Sequence, residues 1–279
     1  MRAERAPAIS AHRGGSETAR PGTYRAYSEA MAAGADYLEL DVRRTRDGIL
    51  VVSHRGRAPL LTRARARACG RARGHFPGRP VASISYAQLC RAAAFEVPRL
   101  DRVVPLLAGR ARLHLDVKDP GSAADAAELA LDALGPADIV ATTRDLQVAR
   151  LLARTLPRLP VGVAVGGDLP ESARFLARRA SRPGLSRLDA VAAADASWAA
   201  LHYRQAGAGL AAQCRERGIK TLVWTVNSDR ALARWLASPD VDVLVTDRPA
   251  RAVALRDRRA RPTASPDRAA RPDPAAGRP

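Results

Sequence analysis

Cysteine, lysine and aromatic residues are all scarce in this chain of 279 residues. The three cysteines, Cys69, Cys90 and Cys214, are an odd number and form no C-x-x-C pair. That excludes a disulfide scaffold and suggests neither a thiolate zinc site nor a redox motif. They read as reduced, mostly buried thiols of a cytoplasmic protein. No apolar run reaches the roughly 18 residues of a membrane span. The opening MRAERAPAISAHRGG carries charge with no apolar run behind it, so no signal peptide is expected. Aromatics make up 4% of the chain, fewer than a single-strand binder with stacking platforms would show. The apolar content of 47% excludes wholesale disorder. The length suits one large domain, and α/β barrels often run to about 250 residues.

What the chain has in excess is arginine. Lys118 and Lys220 are the only lysines among 46 basic residues, and 28 acids leave a net charge of +18. The excess is local. Residues 55–79 hold eight arginines and no acid, and residues 251–279 hold eight arginines and three aspartates. Charge of this kind speaks to solubility and loose association rather than to fold. Specific nucleic-acid binding is therefore not expected, although weak contact with anionic membranes is allowed.

Residues 1–7 read as a short leading tail and residues 8–255 as one domain. The Arg-Ala steps and Gly/Pro punctuation of about 55–83 mark an inserted surface loop. The Pro-, Arg- and Ala-rich stretch 256–279 has no apolar period and is expected to be disordered. Within the domain, eight apolar runs of strand length recur, at 8–12, 35–42, 112–117, 138–141, 161–165, 189–193, 221–226 and 241–245. Segments of helical period separate them, among them 23–33, 123–134, 145–156, 171–179, 209–217 and 229–237. Eightfold strand–helix alternation predicts a (β/α)8 barrel of the TIM type. A doubly wound sheet would carry a G-x-G-x-x-G first turn, and His12-Arg13-Gly14-Gly15 lacks that spacing. Asp47-Gly48 between apolar runs predicts a hairpin extending the second strand.

Alternation then sorts the side chains. In 38–42, Leu38, Leu40 and Val42 share one face, and Glu39 and Asp41 share the other. The apolar face must meet the helix layer, so both carboxylates point into the barrel. The third strand repeats the pattern, with His114, Asp116 and Lys118 inward. His12 ends the first strand and His54 ends the hairpin strand, at the face where barrel enzymes work. Glu39, Asp41 and Asp116 form an all-oxygen set suited to one hard divalent cation, Mg²⁺ or Ca²⁺. Arg13 and Lys118 beside it favour an anionic group such as phosphate. His12 and His54 can serve as an acid–base pair near neutrality. The set describes phosphodiester cleavage better than glycoside hydrolysis, which needs carboxyls on opposite sides of one bond.

These residues also carry a family resemblance. Ala11-His12-Arg13-Gly14 is followed by Ala30…Gly34-Ala35-Asp36…Glu39-Leu40-Asp41-Val42…Thr45…Asp47-Gly48…Val51-Val52…His54. With Leu115-Asp116-Val117-Lys118, Trp224-Thr225-Val226-Asn227 and Thr246-Asp247-Arg248-Pro249, this resembles the glycerophosphodiester phosphodiesterases over about residues 8–250. The resemblance implies a TIM barrel with an insertion after the second strand. It implies metal at Glu39, Asp41 and Asp116, an acid–base pair in His12 and His54, and phosphate on Arg13 and Lys118. Trp224 would wall the pocket of a small glycerophosphodiester, which the family cleaves to sn-glycerol 3-phosphate and an alcohol. The sequence departs from the family at three places. Arg20-Pro21-Gly22-Thr23 stands for P-E-N-T, His54-Arg55 for H-D, and Asp116 for the usual Glu. Alternative readings are a barrel that binds a phosphodiester with weak turnover, or an Arg-rich polyanion binder. Oligomeric state is not legible.

Overall fold

The computed structural model describes residues 6–58, 78–165 and 188–260. Eight parallel strands close into a barrel: β1 Ala8–Ala11, β2 Tyr37–Arg44, β4 Arg112–Val117, β5 Ile139–Thr143, β6 Val161–Val165, β7 Trp198–His202, β8 Lys220–Trp224 and β9 Val243–Thr246. Pairing of β1 with both β2 and β9 completes the ring. The antiparallel β3, Leu50–Val52, pairs with the upper end of β2 through Val42 and Val52. It is the expected hairpin, turned at Thr45–Ile49 by backbone and hydroxyl hydrogen bonds.

The helices are α1 Tyr24–Ala32, α2 Tyr86–Ala93, α3 Leu100–Leu107, α4 Ala123–Leu134, α5 Leu146–Thr155, α6 Asp189–Ala193, α7 Tyr203–Gln205, α8 Ala211–Glu216, α9 Asp229–Leu236 and α10 Pro249–Ala260. No described helix is long and apolar enough to cross a membrane. Local signals set the starts. Thr23, Ser85, Asp145 and Ser228 each accept a backbone N–H in the first turn, and Ser85 forms a full capping box with Gln88.

Two layers of apolar packing follow from strand alternation. Outward residues such as Leu38, Leu40, Val42, Leu113, Leu115 and Val117 meet the helices in the main core. The barrel floor is filled by Tyr37, Val140, Trp198, Ala200, Leu222, Val243 and Val245. A third cluster of Val51, Ala58, Val81, Ile84, Leu89, Ala93 and Val97 packs the hairpin against α2. This cluster fixes the hairpin from which His54 projects.

One strand differs from expectation. Residues 189–193 form α6, and the strand lies at Trp198–His202. A short apolar run does not by itself distinguish strand from buried helix, and Asp-Ala-Val-Ala-Ala is rich in the best helix former. Trp-Ala-Ala-Leu-His alternates as a strand should: Trp198 and Ala200 enter the barrel floor, while Ala199 and Leu201 join the outer core. The expected helix at 209–217 is interrupted too. A π-type turn at Ala206–Leu210 precedes α8. The helix α10 continues to Ala260, past the tail boundary expected at 256, and Arg256 is ion-paired with Asp36. The expected helix 171–179, Cys69 and the middle of the Arg-rich insertion lie outside the described residues.

Candidate active site

The site is built on three adjacent strands. The register pairs Glu39 with His114 and Asp41 with Asp116, so the inward carboxylates of β2 and β4 stand side by side. Oxygens of Glu39, Asp41 and Asp116 lie within 4.8 Å of one another. Glu39 and Asp41 are buried and Asp116 half-buried. Burial and the Asp41 charge push the Glu39 carboxyl up to about 8. Burial, then Asp41, also raises Asp116, against the pull of Lys118. Burial opposes the charge of Asp41 as well, but Lys118 outweighs it and lowers that group. The Lys118 ammonium sits 2.9 Å from Asp41 Oδ1 and contacts Asp116 Oδ2. Burial disfavours that ammonium, yet Asp116, Asp41 and Glu39 outweigh burial and raise it.

One lysine does not satisfy three carboxylates. Asp41 Oδ2 is buried with no hydrogen-bond partner. A buried, unpaired carboxylate oxygen among two further carboxylates is costly without a cation. The residues present therefore fit a divalent metal, and the all-oxygen donor set selects a hard one.

His12 follows β1 directly, and the chain then reverses through Arg13 and two glycines. Arg13 has φ +53° and Gly15 φ +86°. A Cβ on Gly15 would lie 2.6 Å from Pro249 Cδ, and one on Gly14 would lie 2.9 Å from Ala26 backbone. The tight turn brings the Arg13 N–H to Glu39 Oε2 at 2.8 Å, tying the H-R-G turn to the carboxylate set. The Arg13 side chain keeps a buried Nε without a partner.

The His12 ring is held from behind. Its Nδ1 lies 2.7 Å from Asp247 Oδ1, and Asn227 Nδ2 donates to Asp247 Oδ2 at 2.7 Å. The Asp247 N–H returns a hydrogen bond to Asn227 Oδ1 at 3.0 Å. An aspartate on Nδ1 fixes the proton there and leaves Nε2 for chemistry. Burial lowers the imidazole, but Glu39 and the Asp247 hydrogen bond prevail and raise it above its ordinary value. The sequence holds Asp247 and Asn227 in recognisable motifs, yet their role is a contact across 235 residues.

His54 comes from the loop after β3, and it is exposed. Partial burial of the ring, with the charges of Arg13, Lys118 and His12, lowers its imidazole against the opposing charge of Asp41. The Ser53 N–H donates to the Asp41 carbonyl at 2.8 Å, which sets the start of the His54 loop against the carboxylate strand. Arg43 holds its backbone: Nη1 donates to Asp119 Oδ1 at 2.6 Å and Nη2 to the His54 carbonyl at 3.3 Å. Sequence reasoning passed over Arg43, because nothing in its own strand marks the loop it supports.

One inward residue, His114, and the segment before α1 are structural. His114 lies between Ser10 Oγ (3.4 Å) and Thr142 Oγ1 (3.0 Å), and burial pushes it down to about 3, so it is a neutral bridge in the barrel. Thr23 caps α1 and donates to the Arg20 carbonyl at 2.7 Å, while the Arg20 guanidinium lies 4.3 Å from the Phe95 ring centroid. The segment that departs from P-E-N-T thus serves as a helix cap. Trp224, half-buried at the end of β8, faces the mouth beside His202, ring centroids 5.3 Å apart.

The model of the glycerophosphoryl diester phosphodiesterase family matches residues 12–251. A stretch of 46 residues is 50% identical to mouse lysophospholipase D GDPD3 and, equally, to a glycerophosphodiester phosphodiesterase of Caldanaerobacter subterraneus. Those alignments cover 16% of this chain and only 14% and 19% of the relatives. A solved glycerophosphodiester phosphodiesterase from Agrobacterium tumefaciens is 26% identical, with TM-score 0.64, over 89% of this chain and 99% of its own. An Oleispira antarctica phosphodiesterase, solved in complex with its product sn-glycerol-3-phosphate, shares the fold. Its identity is 18% and its TM-score 0.64, covering 90% of this chain and 97% of its own. With the family model spanning the barrel from His12 to α10, the chain belongs to the glycerophosphoryl diester phosphodiesterase family.

Proposed function

We propose that this chain hydrolyses glycerophosphodiesters to sn-glycerol 3-phosphate and an alcohol, with a divalent cation, Mg²⁺ or Ca²⁺, held by Glu39, Asp41 and Asp116. The observation that carries the reading is the convergence of three carboxylates with two separately held histidines at one side of the mouth. When bound, the cation supplies positive charge that polarises a phosphoryl oxygen. The chain's own residues do the rest. Arg13 and Lys118 bind the non-bridging oxygens, and Trp224 walls the pocket. An ammonium has three N–H donors, so Lys118 can keep a carboxylate and still reach phosphate.

Cleavage forms one O–P bond and breaks another. One histidine takes the proton of the attacking substrate hydroxyl and the other gives a proton to the departing alkoxide; water then opens the resulting cyclic phosphate to glycerol 3-phosphate. His12 works through Nε2, since Asp247 occupies Nδ1. The free thiols of Cys90 and Cys214 suit a reducing compartment such as the cytoplasm. A panel of glycerophosphodiesters, with and without chelator, tests the proposal by release of glycerol 3-phosphate. Release that continues in excess chelator, or no release from any diester, would overturn it.

A further inference from the structure

The far side of the mouth carries a cation that the chemistry above does not use. Arg144 is the first residue after β5, and its guanidinium carbon lies 5.5 Å from the centroid of the Trp224 ring at the end of β8. In the sheet, β6 and β7 separate β5 from β8. Arg144 therefore crosses the barrel opening instead of turning out to the helices. It is exposed, and its charge reaches the Asp116 carboxylate. No described carboxylate forms an ion pair with it. Its neighbour Asp145 is committed to capping α5, accepting from Gln147 N at 2.8 Å. Beside Trp224, His202 accepts the Arg204 N–H on Nδ1 at 3.4 Å, which leaves its other ring nitrogen as a donor.

We infer that this side of the mouth selects diesters carrying a second anionic group, a carboxylate or phosphate, and that Arg144 reads it. The inference rests on the proposed hydrolysis and adds the substrate class. An exposed tryptophan face at a mouth attracts quaternary ammonium groups by cation–π attraction. Here a guanidinium already lies over that face. A choline or ethanolamine headgroup meets like charge, whereas an anion meets a planar donor fork oriented by the ring. Attraction for one class and repulsion of the other act together.

The test compares four synthetic diesters: glycerol 3-phosphate esterified to choline, to glycerol and to glycolate, and a fourth with glycerate replacing the glycerol half and ethanol as the alcohol. The two carboxylates distinguish a second charge on the alcohol from one on the glycerol side. At least one carboxylate ester should exceed the choline ester by about tenfold in kcat/KM, the scale of one hydrogen bond to a charged group. Arg144→Gln should erase that preference with the neutral ester nearly unchanged, and Arg144→Lys should keep part of it. Calorimetric binding of the same diesters to the His54→Ala variant repeats the comparison without turnover. Discrimination in binding with no turnover by the native chain would sustain this inference and sink the hydrolysis. Equal use of choline and carboxylate esters, or an equal loss on all four in Arg144→Gln, would overturn it. Failure of every diester to bind would overturn both.

Discussion

The mouth of this barrel has two sides that differ in how they are held. On the β1–β2–β4 side, every proposed catalytic group has a restraint from another element. The Arg13 N–H is on Glu39, Asp247 on His12, Lys118 on Asp41 and Asp116, and Arg43 on the His54 carbonyl. On the β5–β8 side, the contacts among Arg144, Trp224, His202 and Tyr203 are ring contacts at 4.6–5.5 Å. The connection after β7 is a short helix and a π-type turn. The first side holds its carboxylates and the His12 ring from neighbouring elements, as catalysis needs, and holds His54 through its backbone carbonyl. The second is organised as a selective surface is, with adaptable groups on a fixed tryptophan. Chemistry demands position, and discrimination between alcohols demands charge.

Loss of the metal should harm the first side most. Excess chelator should reduce turnover to background, and Mg²⁺ or Ca²⁺ should restore it. Glu39→Gln, Asp41→Asn and Asp116→Asn should each weaken cation binding measured by calorimetry. Turnover in excess chelator within a few-fold of normal would remove the first side's claim to be metal-dependent.

Next come the histidines. His12→Ala and His54→Ala should each lose about 10²–10⁴-fold in turnover while still binding metal. On the proposed acid–base pairing, the double variant should be far less than multiplicatively worse. A p-nitrophenyl leaving group needs little protonation, so it should rescue only the variant lacking the acid. Near-normal rates for both on a glycerophosphodiester would show that the first side only binds phosphate.

Asp247 offers a finer cut. Asp247→Asn keeps the size of the group behind His12 but removes its charge. Turnover should fall about 10- to 100-fold, by analogy with lost partners behind metal-bound histidines. The midpoint of the His12 titration, followed by NMR in the presence of the cation, should fall too. The sign follows from the cause: a neighbouring negative charge favours the imidazolium, so its loss favours the neutral ring. An unmoved midpoint would show that Asp247 only packs.

The sequence discloses the two sides unequally, and the reasons are physical. Glu39 and Asp41 are visible because the residues of β2 that meet the helix layer recur with period two, and a carboxylate between them stands out against leucine. His12 and His54 are visible at strand ends. The partner of His12 is 235 residues away, and Arg144 meets Trp224 over two intervening strands. Such contacts exist only once the barrel closes. The strand displaced from 189–193 to Trp198–His202 also belongs to the second side. There alanine fills both strand and helix, and alanine in a short segment carries no period strong enough to separate them.

The smallest effect compares one glycine on each side. Gly15, in the turn after His12, has φ +86° and ψ 175°. Gly209, in the π-type turn on the second side, has φ +91° and ψ −2°. Both conformations disfavour an L side chain, so alanine at either position carries backbone strain of about 1–3 kcal/mol. Their surroundings differ. A Cβ at Gly15 would meet the Pro249 ring at 2.6 and 2.8 Å, while one at Gly209 would meet nothing within 4 Å. Pro249 begins α10 and its ring is rigid, so the clash at residue 15 must be relieved by moving the turn. That turn carries the Arg13 N–H to Glu39 and follows His12 directly. Gly15→Ala should therefore lose more stability in urea unfolding than Gly209→Ala, and should lower turnover as well. Gly209→Ala should cost stability through strain alone and leave hydrolysis of a neutral diester nearly intact. Equal unfolding midpoints together with equal turnover would show that the turn after His12 is no more constrained than the loop across the mouth.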